Sequence, residues 1–237
     1  MTWDDVFCNT FKALRKKTTP EVKKKKLDFM FPSMPMVNAC RADDFDFFQP
    51  LLDSGDLTVD QMHHAAQRYH LGKSKSGIPI FWLIDDLYQP LDGHLGNSWV
   101  STSLKAREPL LKYWRVTHCL FGLHQLSDDH CQSSIGIVDS EQSAVLLSEI
   151  LPETLWLSFP EMSGITADLL EPLQDQVITI YPRADPTMTN YLFFQDFAAL
   201  VRSTYPSITL NVNSTLEDRT TESQKSRYID LLDFILE

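Results

Sequence analysis

Four charged residues lie just beyond two apolar runs, where carboxylates could hold a metal ion or move a proton. Asp139 and Glu141 follow the apolar run Ile135-Gly-Ile-Val138, and Arg183 and Asp185 follow Val177-Ile-Thr-Ile-Tyr181. Carboxylates grouped in this way can hold Mg²⁺, a hard cation that takes oxygen ligands from one or two carboxylates, water and phosphate. Arg183 is a fixed cation and cannot ligate a metal. At about 4 Å, opposite unit charges attract by roughly 4 kcal/mol at an effective dielectric near 20. Arg183 is therefore expected to pair with Asp139 or Asp185 and to sit where a metal would. A plainer alternative makes Asp139 a helix start, favoured by the helix dipole, and Asp185 a loop or cap residue.

The other candidates are basic. Residues 1–26 hold eight Lys/Arg and three Asp/Glu in a chain of net charge −11, so the rest carries −16. Such a body repels phosphates, and contact with DNA or RNA is expected chiefly from the N-terminal arm, through Lys23, Lys24, Lys25 and Lys26, with Arg183 a further nucleic-acid-binding candidate. A solvated leader is the alternative. Lys73 and Lys75 lie in Gly-Lys-Ser-Lys-Ser-Gly, residues 72–77. This run lacks the first glycine of a phosphate loop at the required spacing and precedes a strand, so it is expected to be a flexible surface turn within reach of phosphate. The seven histidines show no H-E-x-x-H spacing, and Cys8, Cys40, Cys119 and Cys131 form no C-x-x-C pair, so neither set is expected to bind metal. No apolar window is long enough to span a membrane, and the N-terminus has no basic and apolar leader pattern, which together predict a cytoplasmic protein without membrane contact.

These residues need elements to hold them. Trp3, Phe7, Phe11 and Leu14 predict a helix over 3–17, and Phe31-Pro-Ser-Met-Pro-Met predicts an irregular connector over 30–37. Asp43 or Asp44 and then Thr58 can cap two short helices. Residues 78–84 read as a buried strand, 94–101 as a further strand and 104–114 as a helix, giving a small antiparallel sheet. From Ser134 strands and helices alternate: strands at 135–138, 154–158, 177–181 and 208–212, helices at 140–150, 163–173, 191–204 and 221–236. Continuous apolar strands alternating with helices predict a mostly parallel four-stranded sheet covered on both faces. Right-handed crossovers then bring the strand C-terminal ends to one edge, where ligands bind. The fold class is α/β, with an arm and connector at 1–37, an α+β region at 38–126 and the α/β domain at 127–237.

The order strand, acidic residue, helix, then strand and acidic cluster resembles that of Toprim domains. Ile137-Val138-Asp139-Ser140-Glu141 and Ile180-Tyr181-Pro182-Arg183-Ala184-Asp185 carry the likeness. Phe81-Trp82-Leu83-Ile84-Asp85, Cys119-Leu120-Phe121-Gly122-Leu123-His124 and Asp230-Leu-Leu-Asp233-Phe-Ile-Leu extend it to Toprim-related, primase-like proteins of bacterial mobile elements, over residues 38–237. The resemblance implies a catalytic glutamate at the position of Asp139 and a metal-binding D-x-D pair at Arg183 and Asp185. The first is shortened by one methylene, and the pair keeps only Asp185. Glu141 is the candidate replacement base. The implied function is that of a catalytically impaired, nucleic-acid-associated accessory factor of a mobile element, with no cofactor. One alternative is an active Mg²⁺-dependent nuclease or primase-like enzyme. Another is a protein-interaction module that retains only the fold, with a protein partner.

Overall fold

A computed structural model describes residues 32–107, 111, 115–127 and 134–237. The basic arm, the helix expected over 3–17 and most of 108–114 lie outside them. Two four-stranded sheets, one antiparallel and one parallel, form a mixed α/β architecture with flanking helices. Among the described residues no helix is long and apolar enough to cross a membrane.

The chain enters through α1 (Met34–Ala39), where the sequence predicts an irregular connector. Pro35 lies in its first turn, a position that proline's fixed φ suits, so the same residue starts a helix rather than preventing one. A 3₁₀ turn (Asp46–Phe48) leads into α2 (Gln49–Ser54), which stops at Gly55 in the left-handed region. Thr58 and Gln61 form a reciprocal capping box on α3 (Val59–Arg68).

The first sheet has the order β1–β2–β3–β4: Gly72–Lys73, Pro79–Ile84, Pro90–Leu95 and Ser98–Trp99. Gly72 and Lys73 pair with Ile80 and Pro79, so the expected flexible loop begins as an edge strand. The strand expected over 94–101 divides into the end of β3, a turn at Gly96, and β4; α4 (Val100–Arg107) follows directly.

Strand β2 is buried on both faces, and its alternation sorts two cores. Ile80, Trp82 and Ile84 face a small cluster with Met36, Val37, Val100 and Leu104. Phe81 and Leu83 face the main core, which also takes residues from α3 and from the parallel sheet. One continuous apolar core thus runs beneath both sheets. The Tyr69 hydroxyl donates to the Trp156 carbonyl at 2.7 Å, and Phe121 makes an antiparallel bridge to Ser158.

The second sheet comprises β5 (Ser134–Val138), β6 (Thr154–Ser158), β7 (Val177–Ile180) and β8 (Thr209–Val212), all parallel, in the order β6–β5–β7–β8. Helix α5 (Glu141–Ile150) joins β5 to β6 and packs against α3. The chain then crosses β5 to reach β7 through two 3₁₀ turns (Met162–Gly164 and Ala167–Leu173), where the sequence predicts one helix; Pro172 within the second lacks the N–H that an α-helix would need. Helix α6 (Thr189–Thr204) joins β7 to β8. The connections leave β5 and β7 in opposite directions, so the topological switch point lies between their C-terminal ends.

The helix expected over 221–236 is broken. Short α7 (Thr215–Arg219) and α8 (Glu222–Ser226) precede α9 (Leu231–Leu236), and Tyr228 between the last two adopts a φ of 55°. Asp230 and Asp233 form the capping box of α9, and Ile229, Leu231 and Leu232 are buried. The break turns residues 229–232 onto the parallel half, which a straight helix could not cover.

Gly136 in β5 lies beneath the Trp156 indole, and a Cβ there would meet the ring at 2.5 Å. Trp156 is pinned in turn by its Nε1, which donates to the Leu151 carbonyl at 3.1 Å. Gly136→Ala is expected to lower unfolding stability by about 1–3 kcal/mol through overpacking, measured by urea denaturation. An unchanged midpoint would mean that the indole can move aside.

Candidate functional site

The switch-point crevice is built from the loops after β5 and β7. Asp139 follows β5 directly, and Ser140 caps α5 by accepting the Ser143 N–H at 3.0 Å. Pro182, Arg183 and Ala184 follow β7, and the Ala184 N–H donates to the Ile229 carbonyl at 3.0 Å. The C-terminal segment is thereby hydrogen-bonded to the crevice. The Ser143 hydroxyl donates to the Asp230 carboxylate, joining α5 to the same segment.

Within the crevice Arg183 Nε lies 3.5 Å from Asp139 Oδ2. The sequence-based expectation allowed either aspartate as partner, and the structure selects Asp139. The pair is unequal: the Asp139 side chain is 10% exposed, that of Arg183 37%. The contact is an ion pair without hydrogen-bond alignment, and Asp139 Oδ1 is buried with no hydrogen-bond partner. Burial pushes the Asp139 carboxyl up to about 6; the Arg183 charge and backbone pull it down, and the nearby Asp230 pushes it up again. The guanidinium only partly offsets the cost of burying the carboxylate.

Asp185 has a different role. Its Oδ1 accepts from the Thr187 N–H, the Thr187 hydroxyl and the Thr189 N–H, and its Oδ2 accepts from the Asn190 N–H at 2.8 Å. Three of these four bonds fall on Oδ1 and one on Oδ2. Burial alone would raise its pKa, but the bonds from Thr187, Asn190 and Thr189 outweigh it and hold the carboxyl below its ordinary value. Asp185 fixes the entry to α6, whose cap residue Met188 is in the left-handed region.

Glu141 is paired with a residue of the antiparallel sheet. Its Oε1 lies 2.7 Å from His94 Nδ1 on the antiparallel sheet. That hydrogen bond, against an opposing effect of burial, raises the His94 pKa, with help from the charges of Glu141, Glu161 and Asp92. His94 opposes Trp99 across the β3–β4 hairpin, with ring centroids 4.9 Å apart. Trp99 stacks on His118 at 4.0 Å, and His118 Nε2 lies 3.3 Å from Asp92 Oδ2. Asp92 is fully buried, and its other oxygen accepts the N–H groups of Gly93 and Ser101. Two carboxylate–imidazole pairs thus flank one indole along the seam between the sheets. His118 also faces an open cleft of about 480 Å³ that Asp85, Asp86 and Asp168 line. Cys119 shares that cleft, but burial pushes its thiol up, away from the thiolate that a nucleophile requires.

Reasoning from the sequence missed His94, His118, Asp92 and Trp99. The alternation of β3 places Asp92 and His94 on one face, and that was the available signal. Their partners Glu141 and His118 are 47 and 26 positions distant, beyond any local pattern.

The basic candidates do not gather at this edge. Lys73 Nζ lies 3.0 Å from Asp44 and 5.1 Å from the centroid of the Phe45 ring. Lys75 lines a separate cavity on the antiparallel half. Lys23, Lys24, Lys25 and Lys26 are outside the described residues. Among the described residues, no three His, Cys, Asp or Glu side chains converge so as to hold a metal ion.

Residues 46–184 match the family described as Domain of unknown function (DUF6371). The match covers more than half of the chain, which therefore belongs to that family. It runs from the 3₁₀ turn before α2 to the residue after Arg183, and so takes in both sheets except β8, the ion pair and the seam. No curated protein matches the chain.

Two measurements test this geometry. Because the folded Asp139 carboxyl titrates near 6 rather than 3.8, its ionisation costs more in the folded than in the unfolded chain. Its contribution is fully favourable below pH 4 and declines as pH rises through 6, by about 3 kcal/mol. Asp139→Asn is expected to flatten that decline in denaturation curves between pH 4 and 7; an unchanged slope would place the titration elsewhere. For Asp185 the sign is reversed, since a lowered carboxyl stabilises above its unfolded value and loses this as pH falls. Asp185→Ala is expected to cost about 1–3 kcal/mol at pH 7 through lost capping, again read by urea denaturation.

Proposed function

We propose that this member of the DUF6371 family is a Toprim-like protein without metal-dependent phosphoryl chemistry, acting as an accessory factor that contacts nucleic acid through its basic arm. The observation that carries this reading is the Arg183–Asp139 ion pair at the switch point. A Mg²⁺ ion there would need carboxylate oxygens free of competing partners. Asp139 faces a guanidinium, Asp185 is occupied by four donors, and Glu141 is engaged by His94. An arginine within 3.5 Å of Asp139 supplies the positive charge that the metal would otherwise bring.

The charge distribution supports the arm as the nucleic-acid contact. The chain beyond residue 26 carries −16, so phosphates approach it against repulsion, whereas residues 1–26 carry +5. The mobile-element setting rests on the sequence resemblance. One observation favours a protein-interaction role instead: Leu192, Phe193 and Leu200 on α6 are 55%, 42% and 53% exposed. Apolar side chains grouped on one helix face are a feature of partner surfaces.

The test uses the full chain with single- and double-stranded DNA. Binding is expected to weaken steeply with salt and to disappear when residues 1–26 are deleted. No Mg²⁺-dependent cleavage or nucleotide incorporation is expected. Mg²⁺-dependent turnover that Asp139→Ala abolishes would overturn the proposal. Absence of DNA binding at low salt would overturn the accessory role and leave the α6 surface as the functional one. Arg183→Asp is expected to gain Mg²⁺ affinity measurable by calorimetry, because it restores a second carboxylate beside Asp139.

A further inference from the structure

Of the ion pairs between described residues, two cross from the antiparallel half to the parallel half, and both join a histidine to a carboxylate of α5. His94 of β3 lies 2.7 Å from Glu141 at the start of that helix, and His64 of α3 lies 2.7 Å from Glu149 near its end. Helix α5 is thus held at both ends by imidazoles. The other pairs, among them His118–Asp92 and Arg183–Asp139, stay within one half. The neutral contacts across the same boundary do not titrate near pH 7. Burial pushes the Tyr69 hydroxyl up to about 12, so it keeps its proton and its bonds to the Ala144 and Trp156 carbonyls. Gln61 donates to the Glu149 carbonyl at 3.4 Å, and Phe121 pairs with Ser158 through the backbone.

The two pairs differ in weight. The side chains of His94 and Glu141 are 29% and 11% exposed, whereas that of His64 is 64% exposed and more fully screened by water. The charges that face His94 are Glu141 from α5, Glu161 from the turn after β6 and Asp92 from its own strand; the Trp99 ring lies between it and His118. The hydrogen bond to Glu141 leads these effects and outweighs burial, so His94 keeps its proton above the ordinary histidine value. A neutral imidazole still donates one hydrogen bond to a carboxylate but brings no charge to it. With the folded value raised, the contribution of the pair is complete below 6.5 and is lost as pH rises through the folded value. Glu141 stands in the first turn after Asp139, and the Ser143 hydroxyl of the same turn donates to Asp230. A looser first turn is therefore passed directly to the loop that builds the switch-point crevice.

We propose that His94 and His64 form a proton-dependent clasp on α5, closed when the imidazoles are charged and loosened when they are neutral, so that pH sets how firmly the switch-point loop is held against the antiparallel half. The clasp is independent of any nucleic-acid contact. An NMR titration of the full chain needs no variant: the His94 ring is expected to titrate above 6.5, and a midpoint at or below that value would overturn the proposal. A double-mutant cycle of His94→Asn and Glu141→Gln, read by urea denaturation, is expected to give a coupling of about tenfold in the unfolding constant at about pH 5.5 and about twofold or less at about pH 8.5. The titration of Asp139 is common to all four proteins and cancels. Equal coupling at the two pH values would reveal an ordinary structural hydrogen bond and no clasp. Hydrogen exchange, corrected for its intrinsic pH dependence, is expected to quicken about threefold or more in the first turn of α5 over the same range, and not in His94→Asn. No change in the wild-type chain, or the same change in the variant, counts against the clasp. The corresponding cycle of His64→Asn and Glu149→Gln is expected to follow the same direction with a smaller coupling; one that does not fall with pH would remove His64 from the clasp.

Discussion

Strand β2 is buried on both faces, and most of the molecule's organisation follows from that constraint. Its odd and even side chains must satisfy different neighbours: Phe81 and Leu83 the large core under the parallel sheet, Ile80, Trp82 and Ile84 a small core closed by α1 and α4. The antiparallel sheet is thereby fixed against the parallel one and cannot slide without exposing one set. A one-residue slip would exchange the faces entirely. Because the register also pairs His94 with Phe81 and Asp92 with Leu83, the polar residues of β3 are delivered to the same seam as the apolar residues of β2.

This delivery explains why Glu141 is not part of the crevice. At the start of α5 it has two possible partners, the switch point and the seam, and the imidazole of His94 takes it at 2.7 Å. Asp139 is left with Arg183 and with the electrostatic pressure of Asp230. A buried ion pair of this kind repays its desolvation only with good geometry. Here one carboxylate oxygen has no hydrogen-bond partner and the acid remains raised. The arrangement is therefore better understood as neutralising a crevice than as stabilising a fold. Stability in that region comes from the apolar residues around it, including Ile229, Leu231 and Leu232 of the C-terminal segment.

Different residues near the strand ends became legible to different degrees. Asp139 and Arg183 could be placed at one edge because apolar strands alternating with helices imply a parallel sheet, and the ends of such strands align. The attraction between them followed from charge alone. The role of Asp185 did not follow, since the donors that fill it depend on how the chain turns into α6 through Thr187 and Thr189. The seam was not legible, because histidines scattered over a sequence have no pattern until β3 and β4 are paired. Lys73 was read as available to phosphate; its engagement by Asp44 and Phe45 depends on the packing of the chain before α2.

By itself the sequence determined the α/β class, the two sheets, most of the strands, the Thr58 cap and the edge on which Asp139 and Arg183 stand. These rest on side-chain periodicity and charge, which act over a few residues and are written in order along the chain. The tertiary structure alone decided the β6–β5–β7–β8 order, the main core shared by both sheets, the break at Tyr228 and the partner of each carboxylate. Each of these is a choice among contacts separated by tens of residues, and close packing of the buried side chains settles such a choice.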